Sequence, residues 1–95
     1  MAYEIRPSSH VIRYLKKIKE KKLKEKMLEV IYDEIAVNPY NGIQKSGDLN
    51  DIWTMGFKYA KTEYRIAYMI EENQVIPIFL VGTHESFYKE LKRLL

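Results

Sequence analysis

The run Asn38-Pro39-Tyr40-Asn41-Gly42 splits the sequence into two stretches of different periodicity, and no other feature constrains the fold as strongly. Proline lacks the N–H that a continuing helix needs, and Asn and Gly around it favour a turn. Before the run, Val11, Ile12, Leu15 and Ile18 recur at helical spacing, and Leu23, Met27, Val30, Ile31 and Ile35 form a second helical series out of phase with the first. The phase change predicts a break near Lys21 or Lys22, although no Gly or Pro marks one, with one long bent helix as the alternative. After the run the pattern turns to alternating aromatic and β-branched residues over 52–60, 62–71 and 74–82. Connections as short as Ala60-Lys61 and Glu72-Asn73 force these strands into an antiparallel meander.

The ends complete the order. Tyr3-Glu4-Ile5-Arg6, stopped by Pro7, reads as a brief first strand, and Ser8 or Ser9 caps the helix that follows. The segment through Ser46-Gly47-Asp48-Leu49-Asn50 reads as loop, and a terminal helix begins near Glu85. The result is one α+β domain over residues 1–95 in the order β-α-α-β-β-β-α, an antiparallel sheet with a helical pair on one face. Tyr64, Ile66, Tyr68 and Ile70 point toward those helices, and Trp53, Met55, Phe57 and Tyr59 form a core-facing stripe. Glu63, Arg65, Ala67 and Met69 point to the other face, which is left open to a ligand. Pro77 in the last strand predicts a bulge or a poorly paired flank.

Composition removes several functional classes. With no cysteine in 95 residues, a disulfide scaffold, a thiolate zinc site and a cysteine nucleophile are excluded. Two histidines and scattered acids show no ligand spacing, so neither metal nor cofactor is expected. No apolar run approaches 18 residues and no positive-then-apolar leader follows Met1, so the expected location is cytoplasmic, with no membrane partner. Charge is unevenly spread. Arg13, Lys16, Lys17, Lys19, Lys21, Lys22, Lys24 and Lys26 face only Glu20 and Glu25 in their window, leaving about +6 there and about −3 elsewhere. Lys16, Lys19 and Lys22 are therefore candidates to contact a polyanion or an acidic partner.

Four groups of residues, in this order, carry a resemblance. Asn38-Pro39 with Ser46-Gly47-Asp48-Leu49, Ile52-Trp53, Glu63-Tyr64-Arg65-Ile66-Ala67-Tyr68, and Val81-Gly82-Thr83-His84-Glu85-Ser86-Phe87-Tyr88 resemble the RelE/ParE toxins of type II toxin–antitoxin modules. The resemblance implies a compact, microbial-ribonuclease-like domain held inactive by a cognate antitoxin. It implies operator DNA binding only through the antitoxin complex. RelE-type members cleave messenger RNA on the ribosome, whereas ParE-type members poison DNA gyrase, and a noncatalytic member would only bind its antitoxin.

Under the RelE-type reading, Arg65 matches the arginine that faces the scissile phosphate. A guanidinium offers paired, planar donors to phosphate oxygens and stabilises the charge that grows as a 2′-OH attacks. The structural alternative is a salt bridge to Glu63 or Glu71. His84 falls where relatives carry Arg or His before the terminal helix, and an imidazole there protonates the 5′-oxygen leaving group. Tyr88, four residues on, orients or stacks on substrate, or packs on the helix face. Lys58, Lys61 and Lys45 are candidates to hold the RNA backbone by point charge. Strand 53–59 carries one lysine where the most basic members carry several. The loop carboxylate that some relatives use as a base has no counterpart, Gln44 and Lys45 standing near its place. His10 reads as a surface residue.

Overall fold

The computed structural model describes residues 2–45 and 51–94, with the backbone alone at Tyr88 and Leu94. The loop expected over Ser46 to Asn50 therefore lies outside the described residues. Strand β1 (Glu4–Pro7) leads into helix α1 (Ser9–Lys17), and helix α2 (Lys21–Glu29) continues as a π-helical turn over Val30–Ile35. A 3-10 turn at Pro39–Asn41 precedes a two-residue strand β2 (Ile43–Gln44), then β3 (Trp53–Tyr59), β4 (Thr62–Tyr68), β5 (Val75–Thr83) and helix α3 (His84–Leu94). No helix among the described residues is long and apolar enough to cross a membrane.

Local chemistry accounts for most boundaries. Ser8 is the cap of α1, its Oγ accepting from the Val11 N–H at 3.2 Å. The helix break falls at Ile18-Lys19-Glu20, slightly earlier than the phase change predicts, with Ile18 and Glu20 both in extended backbone. The Tyr59 hydroxyl donates to Glu20 Oε1 at 2.6 Å and ties this linker to the sheet. The π-helical turn is closed by the Ala36 N–H donating to the Ile31 carbonyl at 3.0 Å. Ala60 (φ 49°) and Lys61 (φ 69°) make the left-handed two-residue turn that joins β3 to β4.

The sheet order is β1-β5-β4-β3-β2. β3, β4 and β5 form the expected antiparallel meander and β2, which was not expected, adds to its edge, but β1 lies parallel to β5, so the sheet is mixed rather than antiparallel throughout. The pairing register of β4 with β5 shifts between Ala67 and Tyr68, the irregularity expected near Pro77.

Each sheet face has its own core. On one, Ile66, Tyr68, Ile76 and Ile78 pack with Val11, Met27, Val30, Ile31 and Ile35 from the helices, while Trp53, Met55, Phe57 and Tyr59 close the rim. Ile12 departs from its series and is 40% exposed. On the other, Phe87 and Leu91 of α3 bury against Ala67, Leu80 and Ile52. The face expected to be open is therefore partly covered by α3 at Ala67, while the part carrying Glu63 and Arg65 reaches solvent. The small side chain of Ala67 lets the helix approach that closely.

Tyr68 links the sheet to the turn after α2. Its buried hydroxyl donates to the Pro39 carbonyl at 2.6 Å, and a Cβ on Gly42 would land on that hydroxyl and 2.7 Å from the Thr54 carbonyl oxygen. Gly42 is thus required for room. Burial pushes the Tyr68 hydroxyl up to about 12, against a partial lowering by its hydrogen bond with the Gly42 backbone. Because the folded value lies above the unfolded value near 10, this contribution is intact below about pH 10 and is lost as pH rises toward 12, by at most about 1.4 kcal/mol per pH unit. Tyr68→Phe should cost about 1–2 kcal/mol at neutral pH, because the buried Pro39 carbonyl loses its donor. It should also flatten the alkaline decline. Urea titrations of both proteins across the alkaline range check this, and parallel declines would contradict it.

Candidate functional site

Arg65 occupies the middle of β4 with glycine opposite it on both neighbouring strands, Gly56 on β3 and Gly82 on β5. The flanking strands thus place no side chain beside it. A Cβ on Gly56 would stand 3.7 Å from Arg65 Cζ and Nη1, so the guanidinium lies over that glycine. The side chain is only 19% exposed, and its Nε is buried without a hydrogen bond among the described residues. A charge so placed requires a counter-charge. Glu63, two positions earlier and so on the same strand face, supplies it, with Oε2 2.6 Å from Arg65 Nη2. The salt bridge weighed for Arg65 is therefore present, to Glu63 and not to Glu71.

His84 reaches the same carboxylate from a different element. It is the first residue of α3, one position before the start expected from sequence, and is half exposed. Its Nε2 stands 4.0 Å from the same Glu63 Oε2. The burial of Phe87 and Leu91 fixes the helix on the sheet, and Thr83 Oγ1 lies 3.2 Å from Ser86 Oγ at its first turn. A strand arginine and a helix-start histidine are thereby brought beside one carboxylate oxygen, the first in direct contact and the second 4.0 Å away.

Two shallow concavities adjoin this cluster. One, of about 280 Å³, is lined by Ile43, Gly56, Phe57, Lys58, Glu63 and Arg65. The second, of about 380 Å³, is lined by Lys61, Thr62, Glu63, Thr83, His84 and Glu85. Three permanent cations and an imidazole thus surround a trough whose carboxylates are Glu63 and Glu85. Such a surface attracts an anion, and the fork of guanidinium donors on Arg65 suits the oxygens of a phosphate. Among the described residues no three His, Asp or Glu side chains gather as a metal site requires.

Of the residues singled out from sequence, Arg65, His84, Lys58 and Lys61 are brought together. Lys58 is the direct cross-strand partner of Glu63. Lys45 lines neither concavity and follows β2 at the far edge, its N–H donating to the Ile52 carbonyl at 2.8 Å. The Tyr88 side chain lies outside the described residues, although its backbone continues α3 one turn after His84. Lys16, Lys19 and Lys22 are exposed on α1, the linker and α2, and line neither concavity. His10, expected at the surface, is half-buried in a concavity of about 180 Å³ between α1 and α3. Sequence reasoning passed over Glu63 as a site residue and over both glycines. Period-two alternation places 63 and 65 on one face, but the glycines opposite Arg65 follow only from the register.

Comparison with known proteins agrees with this architecture. No curated protein matches the chain by sequence. Among solved structures, the chain is similar to the RelBE2 toxin–antitoxin complex of Mycobacterium tuberculosis, with 19% identity over 88% of this chain and all of that one, at a TM-score of 0.71. It is also similar to a doubly substituted E. coli toxin RelE in the free state, with 19% identity over the whole of both chains and a TM-score of 0.72. A third likeness, to substituted E. coli RelE in complex with a peptide of the antitoxin RelB, has 20% identity, covers 96% of this chain and 95% of that one, and has a TM-score of 0.55. At these identities the likeness establishes a shared fold. A family model described as the ParE-like toxin of type II bacterial toxin–antitoxin systems matches residues 5–92, nearly the whole chain, and the chain belongs to that family.

Proposed function

We propose that this toxin is a ribosome-dependent endoribonuclease that cleaves messenger RNA by attack of a 2′-OH on the adjacent phosphate, without a metal. The observation that carries the reading is the meeting of Arg65 and His84 at one point on an otherwise lysine-rimmed, solvent-facing part of the sheet. Arg65 stabilises the negative charge that grows on the non-bridging oxygens. His84 donates a proton to the departing 5′-oxygen. Lys58 and Lys61 hold the RNA backbone on either side, and Tyr88 orients the substrate from the next turn of α3. The exposed Lys16, Lys19 and Lys22 dock the toxin on ribosomal RNA, an interaction that counterion release makes steeply salt-dependent.

The partner that holds the toxin inactive is a cognate antitoxin whose acidic, amphipathic segment folds on binding and sets carboxylates against the basic helices. The likeness in fold to the RelBE2 toxin–antitoxin complex of M. tuberculosis and to E. coli RelE with its antitoxin RelB peptide supports an antitoxin as the partner. Operator DNA is reached only through that complex, and the working compartment is the cytoplasm. A second reading, inhibition of DNA gyrase through protein contact alone, is favoured by one observation. Glu63 already neutralises the Arg65 charge with a 2.6 Å ion pair, as it would for a purely structural arginine.

The two readings separate in one experiment. Purified toxin is added to a translating extract and, in parallel, to gyrase with relaxed plasmid. The nuclease reading expects new messenger RNA ends and normal supercoiling. Intact messenger RNA with blocked supercoiling would replace it by the gyrase reading.

A further inference from the structure

We propose that Glu63 is the general base of the cleavage step, taking the proton from the attacking 2′-OH. The inference rests on the nuclease reading and names the role which that reading leaves unfilled. Glu63 is the residue common to both concavities, standing between the Lys58–Arg65 side and the Lys61–His84 side. Its side chain is 34% exposed, enough for a ribose hydroxyl to reach it, and the ion pair to Arg65 holds its Oε2 in place. Glu85, the other carboxylate on the trough, lines only the His84 side and does not border Arg65.

The proton and bond changes balance within the cluster. The 2′-OH proton passes to the Glu63 carboxylate as the 2′-oxygen bonds to phosphorus. The bond from phosphorus to the 5′-oxygen breaks, and that oxygen takes its proton from the His84 imidazolium. The products are a 2′,3′-cyclic phosphate and a 5′-OH end. No oxidant, reductant or further reactant is required. The charged and titratable groups that face Glu63 are Arg65 beside it, Lys58 across the ladder, Lys61 at the turn, and His84 and Glu85 from α3.

A carboxylate that only neutralised Arg65, or only blocked the phosphate position until substrate arrived, predicts different behaviour. The discriminating experiment is single-turnover cleavage on programmed ribosomes across pH, for wild type, Glu63→Gln and Glu63→Asp. Melting curves of each free protein accompany it. Glu63→Gln should cleave about 10²–10³-fold more slowly and lose the acidic limb of the pH–rate profile, while remaining folded. Glu63→Asp keeps a carboxylate on a shorter arm and should keep that limb with part of the rate. Wild-type or faster cleavage by Glu63→Gln, or a slower rate with the acidic limb intact, overturns the assignment. Absence of cleavage by the wild-type protein overturns the nuclease reading instead, and is told apart because the reference protein fails rather than the variant.

Discussion

Arg65→Ala should lower single-turnover cleavage by about 10³-fold, near the upper range for losing a donor that stabilises developing charge in a preorganised site. The geometry makes this an effect on chemistry rather than on folding. The guanidinium lies over Gly56 and contributes nothing to either hydrophobic core. Its removal leaves the Glu63 carboxylate, one-third exposed, to be hydrated by solvent, so unfolding free energy should change by no more than about 1 kcal/mol. Arg65→Lys should recover only a small part of the rate, because an ammonium cannot reproduce a planar pair of donors. The checks are the cleavage rate and a urea titration on the same preparation. A folded Arg65→Ala protein with the wild-type rate would exclude the assigned role.

His84→Gln should slow cleavage by about 10²–10⁴-fold, the usual range for a lost general acid, while leaving ribosome affinity within a few-fold of wild type. Glutamine preserves length and hydrogen-bonding capacity but cannot release a proton to the 5′-oxygen. His84 is half exposed at the start of α3, and the helix is anchored by Phe87 and Leu91, so folding should be unaffected. The basic limb of the pH–rate profile should disappear in this variant, as the acidic limb should in Glu63→Gln. Rate measurements at saturating ribosome, set beside a binding titration, separate the two effects. An unchanged rate removes His84 from the mechanism, and a loss confined to binding makes it a docking residue.

Much of the fold was legible because burial leaves a periodic record. Leu23, Met27, Val30, Ile31 and Ile35 are all buried, as their spacing requires, and the turn at Ala60-Lys61 lies where the alternating strands demand it. The parallel pairing of β1 with β5 was not legible. It joins residues about seventy positions apart, and a four-residue strand carries no mark of its partner. The helix break at Ile18 to Glu20 has no Gly or Pro, being set by tertiary contacts such as Tyr59 to Glu20. That α3 covers part of the second sheet face follows from pairing Phe87 and Leu91 with the small Ala67, a match between distant elements.

For the candidate site, Arg65 and His84 were recognisable by resemblance, and Lys58 and Lys61 by their closeness to the turn before Arg65. Glu63 was visible only as a possible counter-ion. Its placement against both Arg65 and His84 depends on where α3 begins, and strand alternation is silent on that. Lys45 shows the reverse case, near the loop in sequence yet bordering neither concavity once β2 takes its place at the sheet edge.

The nuclease reading is tested most directly by the chemistry of the ends produced when purified toxin meets messenger RNA on programmed ribosomes. The account predicts a 2′,3′-cyclic phosphate on the upstream fragment and a 5′-OH on the downstream fragment, formed by wild type and at least about 10²-fold more slowly by Arg65→Ala and His84→Gln. Intact messenger RNA under those conditions, or fragments bearing a 5′-phosphate and a 3′-OH, would contradict it.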